Sequence, residues 1–353
     1  MLCCLTLLLS SITTFAQTDP FKIFLIGDAG DDEMTTQTLD SLHNTLGRNP
    51  NSAVFFLGDN SYRNAPLLPI GFKGFDSSLI TQHKVGSELA LLNGYQGSAY
   101  FVPGNHDWWN TMNFKRGKPR LKLEENFIEQ NLTLNTTIQN PGNTFIPKNG
   151  TPGPDAVELN HGKIKVISID TYWLIMLQFK QNPAVNREYE KVFYHNLDSV
   201  LADATAKQQK VMIVCHHPVY YQRYRKPPPI WMVPSRVGMS DLSFPSYKRM
   251  SEQITAILKK YPGVYFAAGH MHAIQYHHTD DNIHYIISGA GSRLINVPAK
   301  IVAQGKANTG KDCIFWNDKG YFEVTFYNDH EDITIYHDEG RKKVMVSELG
   351  TGK

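Results

Sequence analysis

Side chains of metal-ligating types stand at the ends of several short apolar segments of the chain. They occur, in order, as Asp28 in GDAG, Asp59 and Tyr62 in GDNSY, Asn105 and His106 in GNHD, His216 in IVCHHP, and His270 and His272 in GHMH. Carboxylate, amide, imidazole and phenol donors form an oxygen–nitrogen set suited to divalent or trivalent cations. One carboxylate can bridge two cations, and two cations about 3.5–4 Å apart can hold the attacking and leaving oxygens of a phosphoryl displacement. The set therefore predicts a two-metal hydrolytic site.

Each of these motifs is weak when it is taken alone. An Asp after a strand is often only a helix cap, which is an alternative for Asp28 and Asp31. A single His in a strand is more often a packed residue than a ligand, and His161 and His195 are weaker candidates still. The interpretation therefore depends on the complete, ordered set.

The apolar segments before these motifs are typical of buried strands, and segments with helical spacing lie between them. The segments predicted as strands are residues 21–27, 53–58, 98–104, 163–170, 210–216, 264–270, 284–288, 321–327 and 333–336. Those predicted as helices are residues 34–46, 77–92, 187–206 and 247–260. The alternation favours an α/β fold, in which ligand sites assemble at strand ends.

No repeat, linker or low-complexity tract divides the body of the chain, so we expect one domain over residues 17–353 with its core at about 21–330. Residues 226–245 are rich in Pro and aromatic residues and are predicted to form a long surface loop. The 353 residues include 19% charged and 41% hydrophobic ones, which excludes a disordered or coiled-coil protein. A net charge of +2 gives no support to a nucleic-acid-binding role.

Residues 1–16 carry no charge, contain an apolar run and end in Ala16, which predicts a secretory signal peptide cleaved before Gln17. The protein is then expected to be exported, as a periplasmic, envelope-associated or secreted protein. The run is too short to span a bilayer comfortably, and no later segment reaches the apolar length of a transmembrane helix. After cleavage only Cys215 and Cys313 remain, and Cys215 is predicted to be a buried thiol.

The ordered motifs GDAG, GDNSY, GNHD, IVCH and GHMH resemble those of the calcineurin-like metallophosphoesterase superfamily. Tyr62, GHMHAIQY and SGAGSR are similar to the purple (tartrate-resistant) acid phosphatase branch, whereas FIPKNGTPGP and IDTYW resemble a group of exported bacterial phosphoesterases. The resemblance covers about residues 21–330. It implies a two-sheet β-sandwich flanked by helices, in four layers of α/β/β/α.

The resemblance also implies a ligand set and its metals. If the family's ligand positions apply to this chain, Asp28, Tyr62 and His272 bind the first metal. Asn105, His216 and His270 then bind the second metal, and Asp59 bridges both. The first metal is then Fe(III), bound by Tyr62 as phenolate, and the second is divalent Fe, Zn or Mn. The implied enzyme is a metal-dependent phosphoric monoester hydrolase in which a metal-bound hydroxide attacks a small-molecule phosphate ester.

We also expect particular roles or orientations for four residues near the ligand motifs in the sequence. His106 would contact the phosphate and help to protonate the leaving oxygen, and Asp107 would hold its imidazole in one tautomer, or else be a turn residue. Arg225 stands where related acid phosphatases carry a further His; it would bind substrate phosphate or be a solvated surface residue. His217 is expected to point away from the metals, because it follows a ligand in a strand.

Two alternatives stay open. The first is a phosphodiesterase or nucleotidase of the same superfamily, against which Tyr62 argues because a Tyr ligand marks the acid phosphatase branch. The second is a non-catalytic exported binding protein on this scaffold. The completeness of the donor set argues against it, since decay would usually remove a ligand.

Overall fold

The computed structural model describes residues 19–31, 36–62, 85–111, 113–178, 183–223, 244–295, 297–298, 312–337 and 340–345. The predicted signal peptide, Arg225, nearly all of the predicted 226–245 loop and the first part of the predicted 77–92 helix lie outside these residues. The helices are α1 (Thr36–Leu46), α2 (Gly86–Leu91), α3 (Phe114–Asn135), α4 (Thr171–Leu177), α5 (Pro183–Ala206) and α6 (Pro245–Leu258). Among the described residues, no helix has both the length and the apolar character needed to cross a membrane.

The strands form two sheets. The strands are β1 (Phe21–Ile26), β2 (Ser52–Phe56), β3 (Ser98–Phe101), β4 (Asp155–Leu159), β5 (Ile164–Ser168), β6 (Lys210–Val214), β7 (Tyr265–Ala268), β8 (Ile274–His278), β9 (His284–Ser288), β10 (Asp312–Phe315), β11 (Gly320–Phe326), β12 (Glu331–His337) and β13 (Gly340–Met345). The first sheet has the order β13-β12-β11-β1-β2-β3, and the second has the order β10-β8-β9-β7-β6-β5-β4.

Each sheet contains a run of parallel strands, at one end of the first sheet and inside the second, and these strands carry the polar motifs at their carboxyl ends. In the first sheet β1, β2 and β3 are parallel, and β11 pairs with β1 in the antiparallel sense. In the second sheet β5, β6, β7 and β9 are parallel to one another, whereas β4 and β8 pair with this group in the antiparallel sense. Carboxyl ends of parallel strands meet at one edge of a sheet, so each sheet presents its motifs along a single edge.

Alternation of side chains along the strands divides the core into an inner and an outer part. In β1, Ile23 and Leu25 pack in the cluster between the sheets, together with Phe322 from β11 and Met212 and Val214 from β6. The intervening positions Phe24 and Ile26 join the cluster that also contains the helices. Because both faces of these strands are buried, the strands read as continuous apolar runs. The result is the expected two-sheet sandwich with helices outside.

Helix α3 was not predicted, because Gly117 and Pro119 lie in its first two turns and both residues disfavour helix. The side chain of Asn113 caps its start by accepting a hydrogen bond from the Lys115 N–H at 2.9 Å. A Cβ at Gly117 would lie only 2.6 Å from the Trp108 ring, so glycine is needed here for close packing. Tertiary packing thus explains a residue that intrinsic propensity does not favour.

Candidate metal centre

Backbone hydrogen bonds join the motif loops of the two sheets into one structure. The Gly27 N–H donates to the Ser288 carbonyl at 2.6 Å, and the Gly291 N–H donates to the Gly27 carbonyl at 3.1 Å. Three of the predicted donors adopt left-handed backbone conformations, with φ of 56° at Asp28, 54° at Asp59 and 69° at His270. Non-glycine residues adopt this region infrequently, and such strain concentrates at functional sites.

Asp28, Tyr62 and His272 form the first group of donors. The Tyr62 hydroxyl donates to Asp28 Oδ1 at 2.6 Å and lies 3.1 Å from His272 Nε2. His272 Nε2 is also 3.2 Å from Asp28 Oδ1. The second oxygen of Asp28 accepts a hydrogen bond from the His270 N–H at 2.6 Å, which ties this group to the GHMH loop. The structure therefore brings together the three residues predicted to hold the first metal.

Asn105, His216 and His270 form the second group, and Asp59 lies beside it. His216 Nε2 is 3.0 Å from Asn105 Oδ1, 3.3 Å from His270 Nδ1 and 3.3 Å from Asp59 Oδ1. The other ring nitrogen, His216 Nδ1, lies 2.8 Å from the Leu57 carbonyl. A metal-ligating His usually donates its second ring N–H in this way, which leaves Nε2 available for a cation.

The two groups are close enough to share ligands. One ligand atom each from Asp28, Asp59 and His216 lies within 4.8 Å of the others. A Cβ at Gly104 would collide with the Asp59 carboxylate, and a Cβ at Gly58 would lie 2.7 Å from His216 Nδ1. Glycine at these positions therefore lets the backbone approach the donors closely.

Burial and charge of the donors suit a cation. Asp28, Asp59, Tyr62 and His216 are buried. Burial by itself raises the pKa of Asp59, but His216 and His106 outweigh it and hold that pKa well below its ordinary value. Burial lowers the pKa of His216, yet Asp59 raises it to about 9. Two buried carboxyl groups among imidazoles are costly unless charge is balanced, and bound cations provide that balance.

Tyr62 lies at the bottom of the centre and is completely buried. Burial and the neighbouring Asp28 raise the pKa of its hydroxyl well above the ordinary value. Without a cation the hydroxyl is therefore protonated and donates to Asp28. Deprotonation of this phenol needs a positive charge beside the oxygen, as a metal ligand would have.

His106 lies over the donors and remains accessible. Its side chain is 29% exposed, its Nε2 is 4.0 Å from Asp59 Oδ2, and its ring centroid is 4.6 Å from that of Tyr62. Its backbone N–H donates to Asp59 Oδ1 at 2.8 Å. Burial lowers the pKa of the imidazole, whereas Asp59 acts in the opposite direction. His106 therefore lies beside the donor groups, and its expected contact with a substrate phosphate stays a prediction.

Asp107 has other partners than the imidazole expected from the sequence. Its oxygens accept hydrogen bonds from the backbone N–H groups of Gly104 at 2.7 Å, Asp59 at 2.9 Å and Ser61 at 3.1 Å. The polar neighbour of the His106 ring is instead Asn110, whose Nδ2 lies 3.3 Å from His106 Nε2. The expected contact between Asp107 and His106 is therefore wrong, and the turn alternative describes the observed geometry. Backbone N–H groups leave no signature in the sequence, so the GNHD motif could not show that Asp107 binds them.

Asp107 is also part of a buried acidic pair. Burial and the nearby Glu124 raise its pKa well above the ordinary value, and burial raises the pKa of Glu124 to about 7. Both residues are buried. Because its oxygens accept hydrogen bonds from three backbone N–H groups, the buried carboxyl group of Asp107 fixes the shape of the loop.

His217 does not point away from the centre as expected. One of its ring nitrogens lies within 4.8 Å of ligand nitrogens of His216 and His270, and its ring centroid is 4.4 Å from that of His270. Its Nδ1 is 2.9 Å from Thr171 Oγ1, which also accepts the His217 N–H. Strand β6 ends at Val214, so the alternation of a strand no longer governs residue 217. The sequence prediction was wrong because it extended the strand too far.

Arg293 was not singled out from the sequence, although its motif SGAGSR was. Its guanidinium lies 3.8 Å from the Tyr62 ring centroid and is bonded to Asp31. Arg225, the expected substrate-binding residue, lies outside the described residues, so its role stays a prediction.

Comparison with solved structures shows the same fold in several proteins. The chain is similar to GAP50, the anchor in the inner membrane complex of Plasmodium, with 15% identity and a TM-score of 0.53 over 93% of this chain and 89% of that one. It is also similar to a dimetal phosphatase from Danio rerio, with 14% identity and a TM-score of 0.51 over 93% and 99% of the two chains. PhoD matches at 10% identity and a TM-score of 0.52, over 93% and 72%. Identities this low show the fold alone.

No curated protein sequence matches the chain at a significant level. A family model for calcineurin-like phosphoesterases matches residues 21–273, which include all the donors described above. Since the match extends over more than half of the sequence and agrees with the two-sheet architecture, the chain belongs to the calcineurin-like phosphoesterase family.

Proposed function

We propose that the protein is a metal-dependent phosphatase that hydrolyses phosphate monoesters. The observation that carries the proposal is the convergence of two donor groups on Asp59, with Asp28, Tyr62 and His272 on one side and Asn105, His216 and His270 on the other. Membership of a phosphoesterase family and the fold shared with a dimetal phosphatase support the reaction class.

The residues fit two cations, and Asp59 would be the ligand that both share. Its Oδ1 lies 3.3 Å from His216 Nε2, and one ligand atom of Asp28 lies within 4.8 Å of ligand atoms of Asp59 and His216. Bound cations would lower the pKa of a water nucleophile and neutralise charge on the phosphoryl oxygens. We propose Fe(III) at the Tyr62 side and divalent Fe, Zn or Mn at the His216 side, because a phenol oxygen suits a hard trivalent ion.

His106 is the residue placed to act on the substrate. It is 29% exposed above the buried donors, so its imidazole can reach an ester oxygen that enters from solvent. We propose that it contacts the phosphate and delivers a proton to the leaving oxygen. Asp107 supports this arrangement indirectly, because it holds the backbone of Gly104, Asp59 and Ser61.

The proposal includes export of the protein through a cleaved leader at residues 1–16, on the sequence pattern alone. It also includes a small-molecule phosphate ester as the substrate. A diesterase or nucleotidase activity and a non-catalytic role are the competing outcomes. The non-catalytic role is relevant because GAP50, which has the same fold, is an anchor in a membrane complex.

A substrate panel measured with the metal content tests the proposal. Purified protein is assayed on phosphate monoesters, diesters, nucleotides and phosphoproteins across a range of pH, and bound metals are quantified in the same samples. We expect about two metal ions per chain and a specificity constant for monoesters well above that for diesters. Preference for diesters would assign the diesterase activity instead. A protein with both metals bound and no turnover of any ester would be a non-catalytic one.

A further inference from the structure

Three partly exposed side chains surround the opening of the metal centre. The exposed fractions of the side chains are 29% for His106, 28% for His272 and 28% for Arg293. Tyr62 and Asp59, by contrast, are buried below them. A substrate that approaches the donors from solvent therefore meets these three residues. His106 and His272 already have assigned roles, and Arg293 has none.

The guanidinium of Arg293 is held in one orientation at this opening. Its Nε donates to Asp31 Oδ2 at 2.9 Å, its Nη2 lies 2.9 Å from the same oxygen, and the Asp31 side chain is only 9% exposed. Its Cζ lies 3.8 Å from the centroid of the Tyr62 ring, whose hydroxyl is 2.6 Å from Asp28 Oδ1. Arg293 is thus fixed by an ion pair on one edge and by an aromatic face below it.

One edge of the guanidinium remains for another ligand. The contacts with Asp31 use Nε and Nη2, whereas Nη1 makes no hydrogen bond within the described part of the chain. An arginine fork matches phosphate oxygens in geometry and charge, and a side chain that is already ordered loses little conformational entropy on binding. A surface arginine that only bridges two loops would not need to lie against a donor of the metal centre.

We infer that Arg293 is a substrate-binding residue that donates hydrogen bonds to a phosphate oxygen directed away from the metals. The inference rests on the proposed function and specifies its substrate class. A terminal phosphate monoester carries two negative charges and keeps a free oxygen for Arg293. A diester carries one negative charge, and a second organic group is attached to the oxygen that a monoester leaves free. Arg293 therefore favours monoester dianions, and it also binds inorganic phosphate, the product.

Binding of inorganic phosphate to the metal-loaded protein tests the inference without any need for turnover. Calorimetry is performed on the wild type, Arg293→Ala, Arg293→Lys and Asp31→Asn, with the bound metals quantified in each. Arg249→Ala is the matched control, because Arg249 makes a similar pair with Glu190 through Nε at 3.3 Å and Nη2 at 2.8 Å. Steady-state kinetics on a monoester and a diester follow on the same samples.

We expect Arg293→Ala to keep its metals but to bind phosphate about 10–100-fold more weakly, in line with the loss of a charged hydrogen bond. Its KM for the monoester should rise by a similar factor, with little change for the diester. Arg293→Lys should recover part of the affinity. Asp31→Asn should stay within about threefold of the wild type, because the guanidinium is retained.

Two results would overturn the inference. Unchanged phosphate affinity in Arg293→Ala, with metals bound, would show that the residue does not meet the substrate. An equal loss in Asp31→Asn and Arg293→Ala would show that the pair only supports the loop. Failure of the proposed function would look different: the wild type would bind phosphate in an Arg293-dependent manner and hydrolyse no ester.

Discussion

The backbone N–H of Asp59 donates a hydrogen bond to Asp107 Oδ2 at 2.9 Å. The carboxylate of the GNHD motif therefore fixes the loop that carries the central ligand, rather than the imidazole beside it. Any effect of Asp107 on the proposed reaction is therefore expected to come through the position of Asp59 and not through a contact with His106. Support of the Asp59 loop and contact with the His106 imidazole predict different effects of a substitution at Asp107.

Asp107→Ala should destabilise the protein and weaken metal binding. The substitution leaves the N–H groups of Gly104, Asp59 and Ser61 without their acceptor in a buried place. An unsatisfied buried donor costs about 1–3 kcal/mol, so the free energy of unfolding should fall by roughly 3 kcal/mol or more. Urea unfolding and metal analysis measure both effects. Asp107→Asn, which keeps one acceptor oxygen, should lose less. A stable Asp107→Ala protein with full metal content would refute this role.

His106→Asn should slow hydrolysis of esters with poor leaving groups more than that of activated ones. General acid catalysis is typically worth about 10²–10⁴-fold, and a nitrophenolate leaves with little help. The metal content should stay unchanged, because the His106 Nε2 is 4.0 Å from Asp59 and lies outside the donor groups. Turnover of an alkyl phosphate and of nitrophenyl phosphate is compared. An equal decrease on both esters would mean that His106 only binds phosphate.

Asp170→Asn should remove a pH dependence of stability. Burial raises the pKa of Asp170 to about 7, although its oxygens accept hydrogen bonds from the Trp173 N–H and from Trp108 Nε1. A raised folded-state pKa means that the stability from this group is complete below its ordinary pKa of 3.8 and is lost as the pH rises to about 7.

The difference in unfolding free energy, wild type minus Asp170→Asn, should therefore fall by a few kcal/mol between pH 4 and pH 7.5. A pKa shift of this size implies a change on that order of magnitude. Denaturant unfolding of both proteins across this range gives the difference directly, and pH-dependent loss of metal affects both alike. A difference that stays constant with pH would show that Asp170 is ionised in the folded protein throughout.

Tyr62→Phe should remove colour from an iron-containing preparation while much of the hydrolysis persists. The proposed colour arises from charge transfer between a phenolate and Fe(III), and Phe has no oxygen. Tyr62 is buried and contacts Asp28 and His272, so it can tune the metal without reaching the substrate. Absorption spectra and iron content are compared with those of the wild type. A colourless, iron-free and fully active wild type would contradict the assignment to the purple branch.

The strands before the donor motifs could be predicted from sequence because they are apolar runs, and β1, β2, β3 and β7 are followed by Gly and a polar residue. The predicted bounds of β9 match the observed ones, whereas β4, β8, β10 and β13 were not predicted. Helix α3 could not be predicted, since Gly117 is retained for packing against Trp108 despite its low propensity.

Contacts made after a strand has ended were the least predictable part of the site. His217 turns toward His270 because β6 ends three residues earlier, at Val214. Arg293 reaches Tyr62 across a separation in the sequence that no local pattern encodes. Such positions depend on how loops from two sheets pack, which hydrophobic periodicity does not describe.

The metal content and activity of Asp59→Asn test the central claim most directly. Asp59 lies between the two donor groups, and an amide offers one good donor oxygen and no charge. Asn105→Asp, which keeps an oxygen donor, is the matched comparison. We expect the wild type to hold about two metal ions per chain and to hydrolyse phosphate monoesters, and Asp59→Asn to lose both metals and essentially all activity while remaining folded. An Asp59→Asn protein that binds two metals and turns over monoesters at a near-normal rate would contradict the account.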